Sequence, residues 1–345
     1  MIIAVNTGPS KEGFHSTHNF IFELIGKCSL DQPQEQFYII GSNHGSEEYS
    51  NLKFMGVRKP LLPFLKNKLY DKKISKVVEE ISADLMISTD GYYCKNITVP
   101  QVLFVDENNW KNFSKTDLDL ARSILVMTES TKSKLVSTFQ TDNEKIINVH
   151  FGISDEIQPL NFEEQFIVKE DHTDGKEYFL APYPTDKNIL ISLLKAFSVF
   201  KKRQQTNMIL MLVSDNEKIS DSFDTIIQNY KYRQDVILKF RDQTSQYYKL
   251  LGAAYAFIDL SAESLMPIAE AMKSDVPVLT SEKAMELTAT AALFFETDDH
   301  QQIAEQMMLI YKDENLRSQI IHKAALIISE YTWDRTVELF WKAIK

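Results

Sequence analysis

Short apolar runs alternate with helical patterns along most of this chain, and this alternation constrains its fold more than any other feature. In the N-terminal part the apolar runs are MIIAVN, QFYIIG, LKFMGV, DLMIST, PQVLFVD, SILVMT and IINVH, with helical patterns at 16–27, 64–81 and 130–139. Strands that alternate with helices at this spacing form βαβ units around a parallel sheet. The first part of the chain is therefore expected to be one Rossmann-like domain.

A second series of the same kind follows residue 176. The segment 151–176 has no sustained period, and its Gly, Pro and charged residues are typical of a linker. After it come the runs EYFLAP, MILMLVS, VILKF, AYAFIDLS, VPVLTS and AALFFE, with helical patterns at 187–203, 216–230, 244–253 and from 267 onward. The sequence thus predicts an α/β protein with two Rossmann-like domains whose parallel sheets face a central cleft. Because parallel sheets bind ligands at the carboxyl ends of their strands, that cleft is the expected site.

Composition narrows the classes of function. The chain has 345 residues, of which 44% are hydrophobic and 25% charged, and its formal net charge is -10. Nucleic acid binding needs a clustered excess of Lys and Arg, so this balance disfavours nucleic acid as the main partner. The two cysteines, Cys28 and Cys94, form no CxxC pair and no cluster with metal-ligand spacing, so neither a disulfide framework nor a structural zinc site is expected. No apolar run approaches the length of a membrane span, and a cytoplasmic location is expected.

Six segments in consistent order carry a resemblance to a known family. They are DLMISTDGYYCKNITVPQVLFVDENNW, MTESTKSKLV, DKNILISLLKAFSVFKKR, LGAAYAFIDLSAESLMPIAEAMKSDVPVLTS, TAALFFETDDHQQIAEQM and YTWDRTVELFWKAI. From about residue 84 onward the chain resembles the family 4 glycosyltransferases, which are retaining enzymes of the GT-B fold. In such proteins the final tryptophan-bearing helix crosses back onto the N-terminal domain. The resemblance therefore implies a first domain of 1–160 plus 332–345 and a second domain of 161–331.

The resemblance implies a nucleoside-diphosphate sugar bound mainly by the second domain and an acceptor bound by the first. The family motif has two glutamates around a glycine-containing turn and a proline; the second glutamate accepts hydrogen bonds from ribose, and amides of the turn face the diphosphate. Glu270 matches that second glutamate, and Ser264 and Pro267 precede it in the turn and the helix start. The turn is shortened and lacks both glycines, so Glu263 either substitutes for the first glutamate or is simply an exposed residue.

The family also places an Arg and a Lys after the first strand of the second domain, where they neutralise the diphosphate. Lys187 matches the lysine, whereas Pro182 stands at the arginine position. The loss of one cation weakens the electrostatic stabilisation of the leaving group, which is usually the main contribution to catalysis in a transferase. In the simpler alternative Lys187 is a solvated residue in the first turn of a helix.

The first domain departs from the family pattern in similar ways. The best alignment puts His18 in the small turn that the family builds from glycines after the first strand. Asp106 is retained after the strand that follows VPQ, but Val105 occupies the position of the family's histidine. Glu129 matches a position whose side chain faces the cleft; the alternative is a carboxylate that interacts with the dipole of its own helix.

Two functions of different classes follow from these matches and departures. The first is a retaining hexosyltransferase that moves a sugar from a nucleoside-diphosphate sugar to a glycan or lipid-linked acceptor. The resemblance then implies catalytic residues Asp106, Lys187 and Glu263 and substrate-binding residues Glu270, Pro267, Ser264, Glu129 and His18. Neither a cofactor nor a metal is implied, because the fold generally neutralises the diphosphate with cationic side chains and helix dipoles.

The second function is that of a catalytically inactive relative that serves as a glycan-binding or scaffold partner. A nucleotide-sugar epimerase on the same fold is less favoured, since the closest matches are to transferases.

A basic run between Arg58 and Lys76 bears on where the protein acts. It holds seven Lys and Arg residues beside the apolar stretch LLPFL. Such a run is compatible with peripheral contact at the inner face of an anionic membrane, where lipid-linked acceptors reside. Solvated lysines on an amphipathic helix are the simpler alternative. The sequence does not predict the oligomeric state.

Overall fold

The structure is a computed structural model that divides into two compact units. It describes residues 1–8, 17–41, 50–57, 66–89, 91–107, 109–184, 186–214, 216, 219–241, 244–261 and 264–345. The first unit comprises Met1–Gly152 and Tyr331–Lys345, and the second comprises Ile153–Glu330. The first segment of the first unit ends at residue 152, whereas the sequence predicts its end at residue 160. The chain returns to the first unit at residue 331, whereas the sequence predicts residue 332.

The first unit is built on a sheet of seven parallel strands. They are β1 (Ile2–Gly8), β2 (Gln36–Gly41), β3 (Leu52–Gly56), β4 (Leu85–Ser88), β5 (Gln101–Phe104), β6 (Ser123–Val126) and β7 (Ile146–Asn148). Their order across the sheet is β3-β2-β1-β4-β5-β6-β7. Ile3 in β1 pairs with Phe37 on one side and with Leu85 on the other. Every residue of β4, β5 and β6 is buried, as expected for parallel strands covered on both faces.

Four helices connect these strands. They are α1 (Thr17–Asp31), α2 (Lys66–Glu80), α3 (Lys115–Leu120) and α4 (Glu129–Phe139). The side chain of Thr128 begins α4 by accepting a hydrogen bond from the backbone N–H of Thr131. Ser114 begins α3 with a reciprocal capping box, in which Asp117 accepts from the Ser114 backbone N–H. Local capping signals therefore set where α3 and α4 start.

The second unit repeats this plan on a sheet of six parallel strands. Its strands are β8 (Tyr178–Pro182), β9 (Ile209–Ser214), β10 (Val236–Phe240), β11 (Ala256–Asp259), β12 (Val278–Thr280) and β13 (Ala292–Phe294). Their order is β10-β9-β8-β11-β12-β13. The α/β class with two parallel-sheet domains, predicted from the alternation of strands and helices, is confirmed.

Among the residues that the structure describes, eight α-helices belong to the second unit. They are α5 (Phe162–Thr173), α6 (Lys187–Gln204), α7 (Ser220–Ile227), α8 (Thr244–Gly252), α9 (Met266–Lys273), α10 (Met285–Thr288), α11 (His300–Lys312) and α12 (Glu314–Ile328). The side chain of Asp186 begins α6, and Lys201 near its end is buried, where its ammonium lies 2.9 Å from Asp235. Within the described part of the chain, no helix has the length and hydropathy needed to cross a bilayer.

The segment 151–176 is not the plain linker that its sequence suggests. Residues 162–173 form α5, which Asn161 and Glu164 begin with a capping box. Phe162, Phe166 and Ile167 on this helix are exposed. Because these apolar residues do not face a core, they produce no amphipathic period, and the helix is missed from the sequence.

A last helix, α13 (Trp333–Ile344), returns to the first unit. Its Trp333 ring stacks on Phe20 of α1 with ring centres 5.3 Å apart, and Trp341 packs on Phe37 of β2. The carbonyl of Ala343 accepts a hydrogen bond from Ser123 of β6. The helix therefore completes the core of the first unit from the far end of the chain.

The packing of Trp333 leaves no room for a side chain on Gly152. A Cβ at Gly152 would lie 2.4 Å from a ring carbon of Trp333, whereas a Cβ at Gly56 would have no neighbour within 4 Å. We expect Gly152→Ala to lower the free energy of unfolding by about 1–3 kcal/mol through overpacking. Urea unfolding followed by circular dichroism measures this loss, with Gly56→Ala as the matched control. Equal effects of the two substitutions would contradict the packing account.

Candidate functional site

The strand order of the second unit reverses between β8 and β11. β8 is followed by α6 and then by β9 on one side, whereas β11 lies on its other side and is followed by α9. Open parallel sheets bind ligands outside the carboxyl ends of their strands at such a reversal. The starts of α6 and α9 are therefore where ligand-binding residues of this unit are expected.

Glu270 lies in the middle of α9 and is buried, with 4% of its surface exposed. Pro267 is the second residue of this helix, a place where its missing N–H has no helical partner to lose. Ser264 precedes the helix and is partly exposed, and its hydroxyl lies 3.4 Å from the backbone N of Met266. Three residues predicted for substrate binding are thus brought together at the start of α9. Glu263 lies outside the described residues.

Three further polar residues of this unit, which the sequence does not predict for the site, are linked to Glu270 through Tyr247. Asp259 ends β11, is 3% exposed, and accepts hydrogen bonds from the backbone N–H of Ser261 at 2.8 Å and from its hydroxyl at 3.1 Å. Tyr247 on α8 is 3% exposed, and the guanidinium carbon of Arg241 lies 5.0 Å from the centre of its ring. Arg241 is the first residue after β10. We call Arg241, Tyr247, Asp259 and Glu270 the polar cluster.

Electrostatics link the four members of the polar cluster. Burial is the largest cause that raises the pKa of Tyr247 well above its usual range. The carboxylates of Glu270 and Asp259 raise that pKa further, and the positive charge of Arg241 opposes them. The charges of two carboxylates and one guanidinium therefore act on one buried hydroxyl. Carboxylates accept hydrogen bonds, and a guanidinium donates them. The cluster can therefore bind a ligand that carries both hydroxyl groups and hydrogen-bond acceptors.

Lys187 lies at the other side of the strand reversal, as the first residue of α6. It is exposed, and Asp186 beside it accepts a hydrogen bond from the backbone N–H of Asn188 at 2.7 Å. The ammonium of Lys187 is accessible to an anion in solvent. The neighbouring carboxylate of Asp186 accepts a backbone hydrogen bond of the helix instead. In the described ranges, no group of three or more His, Cys, Asp and Glu side chains has an arrangement that could hold a metal ion.

The remaining predicted residues belong to the first unit. Asp106 is 7% exposed and forms a reciprocal pair with Asn109: its carboxylate accepts from the Asn109 N–H at 2.8 Å, and the Asn109 side chain accepts from the Asp106 N–H at 2.9 Å. One visible role of Asp106 is therefore to shape the loop after β5. Glu129 is the exposed first residue of α4. His18 is the second residue of α1, and its side chain lies outside what the structure describes.

His150 is a further residue beside Glu129. The Asn148 side chain donates to Glu129 at 2.8 Å and accepts from the His150 backbone N–H at 2.9 Å. His150 has a positive φ of 53°, and its ring meets Tyr331 edge to face. Burial, followed by the charge of Arg335, lowers the pKa of His150, and Glu129 opposes this shift. Because no motif includes His150, its sequence position alone carries no signal.

The comparisons with known proteins agree with this architecture. Residues 162–326, which include α6, α8, α9 and the polar cluster, match the family model of the glycosyl transferases group 1. The sequence matches no curated protein significantly. The match to this family model thus covers most of the second unit, including the strand reversal and the residues at the starts of α6 and α9.

Solved structures with the same architecture cover the whole chain. A glycosyltransferase from Rickettsia africae is 14% identical with a TM-score of 0.78, covering 100% of this chain and 98% of its own. A sucrose-phosphate synthase from Thermosynechococcus elongatus is 12% identical with a TM-score of 0.80, covering 99% and 98%. HepE from Anabaena in complex with UDP and glucose is 13% identical with a TM-score of 0.76, covering 100% and 99%. The chain therefore has the GT-B fold.

The lowered pKa of His150 predicts a pH effect on stability. In the unfolded chain this histidine has its ordinary pKa near 6.5, so below that pH the unfolded state binds more protons than the folded state. The stability that depends on neutral His150 is therefore fully present above pH 6.5, and it falls as the pH drops toward the pKa of His150 in the folded state. We expect His150→Asn to lose less stability than the wild type between pH 7.5 and 5.5 in urea unfolding. Asn tolerates the positive φ at this position.

The control for this pH effect is His322→Asn, since His322 is exposed on α12. That variant should keep the full pH dependence of the wild type. A His150→Asn variant whose midpoint shifts with pH as much as the wild type would show that His150 is not responsible.

Proposed function

We propose that this protein is a retaining glycosyltransferase of the family 4 type, which moves a hexose from a nucleoside-diphosphate sugar to a glycan or lipid-linked acceptor. The observation that carries the proposal is Glu270. It is buried on a helix that starts at Pro267, at the carboxyl edge of the second sheet and inside the segment that matches the glycosyl transferases group 1. A buried carboxylate at that edge suits a ligand that presents hydroxyl groups.

In this proposal the second unit binds the donor. Glu270 accepts hydrogen bonds from the ribose hydroxyls, and Lys187 contributes positive charge to the diphosphate. The backbone amides at the start of α9, near Ser264 and Pro267, face the phosphates, since the N-terminus of a helix attracts anions. Glu263 is assigned to the donor sugar. HepE, whose structure contains UDP and glucose, supports a nucleotide sugar as the donor.

The proposed chemistry needs positioning and charge stabilisation. The acceptor oxygen bonds to the anomeric carbon of the sugar on the same face from which the diphosphate leaves, as retention requires, and the hydroxyl proton passes to the departing diphosphate, on which negative charge grows as its bond to the sugar breaks. Lys187 and the amides at the start of α9 stabilise that charge, and holding the acceptor hydroxyl against the donor removes much of the entropic barrier. Asp106, Glu129 and His18 of the first unit are assigned to the sugar and the acceptor. His150, which Asn148 connects to Glu129, joins that set.

A catalytically inactive glycan-binding or scaffold protein is the alternative. It rests on the departures at Val105, Pro182 and the shortened turn before Pro267. The match to the glycosyl transferases group 1 and the retained Glu270 and Lys187 do not favour it.

Contact with the inner face of a membrane is a separate part of the proposal. It rests on the basic run, of which residues 58–65 lie outside the described part. Within α2, Lys72, Lys73 and Lys76 are exposed. Exposed lysines suit anionic lipid headgroups, where a lipid-linked acceptor would be found.

Donor binding can be tested by thermal shift and calorimetry with UDP, GDP, ADP and CDP and their common sugar conjugates. A ligand that binds only the folded state stabilises it by about 2.7 kcal/mol at a hundredfold excess over its dissociation constant. We expect a saturable response to at least one nucleotide. It should be lost in Glu270→Gln, which keeps the side-chain shape, and weakened about tenfold or more in Lys187→Ala through loss of a charge-assisted contact.

Lys195→Ala is the matched control for Lys187→Ala. Lys195 is exposed on the same helix two turns further on, and its loss should leave nucleotide binding unchanged. If folded wild-type protein responds to none of these ligands at millimolar concentration, the transferase proposal fails and the binding-partner alternative takes its place.

A further inference from the structure

A groove of about 610 Å³ lies between α1 and α13, both of which belong to the first unit. We call it the α1–α13 groove, and the residues along it include Lys27, Leu30, Asp31, Asp334, Glu338 and Trp341. The α1 residues lie in the last turns of that helix, which follows β1 and ends shortly before β2 begins at Gln36. This end of α1 is therefore at the amino edge of the sheet. The groove is thus separate from the carboxyl edge, where Asp106 and Glu129 lie.

Three exposed carboxylates, those of Asp31, Asp334 and Glu338, give the groove a negative rim. Within the described part of the chain, none of the three forms an ion pair. Lys27 also lines the groove, but its ammonium lies over the ring of Trp333, 5.7 Å from the ring centre. The three carboxylates have no arrangement that could hold a metal ion. They can therefore accept hydrogen bonds from a ligand at several separate points.

The groove also contains apolar surface and one buried donor. Leu30 is 64% exposed, whereas Trp341 is 5% exposed. Among the residues that the structure describes, the indole N–H of Trp341 has no hydrogen-bond partner. A buried donor without a partner is unfavourable, so a ligand that brings an acceptor to it gains that hydrogen bond. The groove thus combines acceptors at its rim, a donor in its lining and an apolar contact.

We infer that the α1–α13 groove binds a saccharide. A sugar hydroxyl both donates and accepts hydrogen bonds, so one ligand can donate to the carboxylates and accept from Trp341 and Lys27. The C–H faces of a sugar ring are apolar and suit Leu30. A cationic peptide would satisfy the carboxylates, but it would bring more positive charge to Lys27. The inference goes beyond the proposed function and does not depend on it, since no residue of the groove belongs to the proposed transferase site.

The tryptophans provide a direct measurement of saccharide binding. The chain has three, so full-length protein with isotope-labelled tryptophan gives three indole N–H signals in NMR. Trp341→Phe removes one signal and thereby identifies it. We expect maltopentaose, mannopentaose or chitopentaose at millimolar concentration to shift the Trp341 signal saturably. Trp110 follows β5 near Asp106 and lies outside the groove, so its signal reports on the loop after β5.

Two variants test the carboxylates of the groove. Asp334→Asn and Glu338→Gln keep the side-chain shape, and each should raise the dissociation constant of the saccharide on the order of tenfold through loss of a charge-assisted hydrogen bond. Glu79→Gln is the matched control. Glu79 is an exposed carboxylate on α2 outside the groove, and its substitution should leave the constant unchanged. Circular dichroism verifies that each variant is folded.

Three results would overturn the inference. The first is a Trp341 signal that none of the saccharides shifts. The second is a shift of the Trp110 signal alone, which places the saccharide at the loop after β5. The third is a Trp341 signal that tetralysine shifts and no saccharide shifts, which assigns the groove to a cationic ligand. Nucleotides take no part in this measurement, so a failure of the proposed transferase function is detected separately.

Discussion

The backbone pairing of β8 with β9 on one side and β11 on the other is the constraint on which the rest of the second unit depends. Tyr178 and Phe179 of β8 pair with Ile209 and Leu210, and Phe179 also pairs with Ala256. Because all six strands run parallel, the starts of α6 and α9 lie at the same edge of the sheet, and this pairing makes the strands that precede them, β8 and β11, neighbours. Lys187 and Glu270, which are far apart in sequence, thus lie on helices that follow neighbouring strands.

The carboxylates of the polar cluster are buried, so their negative charges need compensation. Asp259 and Glu270 are both almost fully buried, and burial of an ionised carboxylate is unfavourable unless hydrogen bonds or opposite charges compensate. The Ser261 N–H and hydroxyl supply this for Asp259. Arg241 supplies a positive charge to the same surroundings. A site of this kind gains specificity from being polar and partly shielded from water, since an ill-matched ligand leaves buried groups without partners.

The sequence predicts the strands and long helices well because their physical causes are local. Buried parallel strands appear as continuous apolar runs, and α6 shows apolar residues at helical spacing from Leu190 to Phe200. α5 is missed because its apolar residues face solvent. Within the candidate site, Glu270, Pro267 and Lys187 belong to motifs. Arg241 lies outside the quoted segments, and Asp259 lies within one of them at the end of β11, but neither is marked by the family motif. Tyr247 is buried, and the charges of these groups act on its hydroxyl.

The return of α13 has a consequence for how the protein folds as it is synthesised. Phe340, Trp341 and Ile344 are buried in the first unit, against strands made from the first third of the chain. A ribosome completes residues 153–330 before this helix exists, so the second unit can fold as a whole while the first still exposes the apolar surface that α13 will cover. The first unit to begin folding is thus the last to finish. During that interval its uncovered apolar surface is where binding by chaperones, or self-association of nascent chains, would occur.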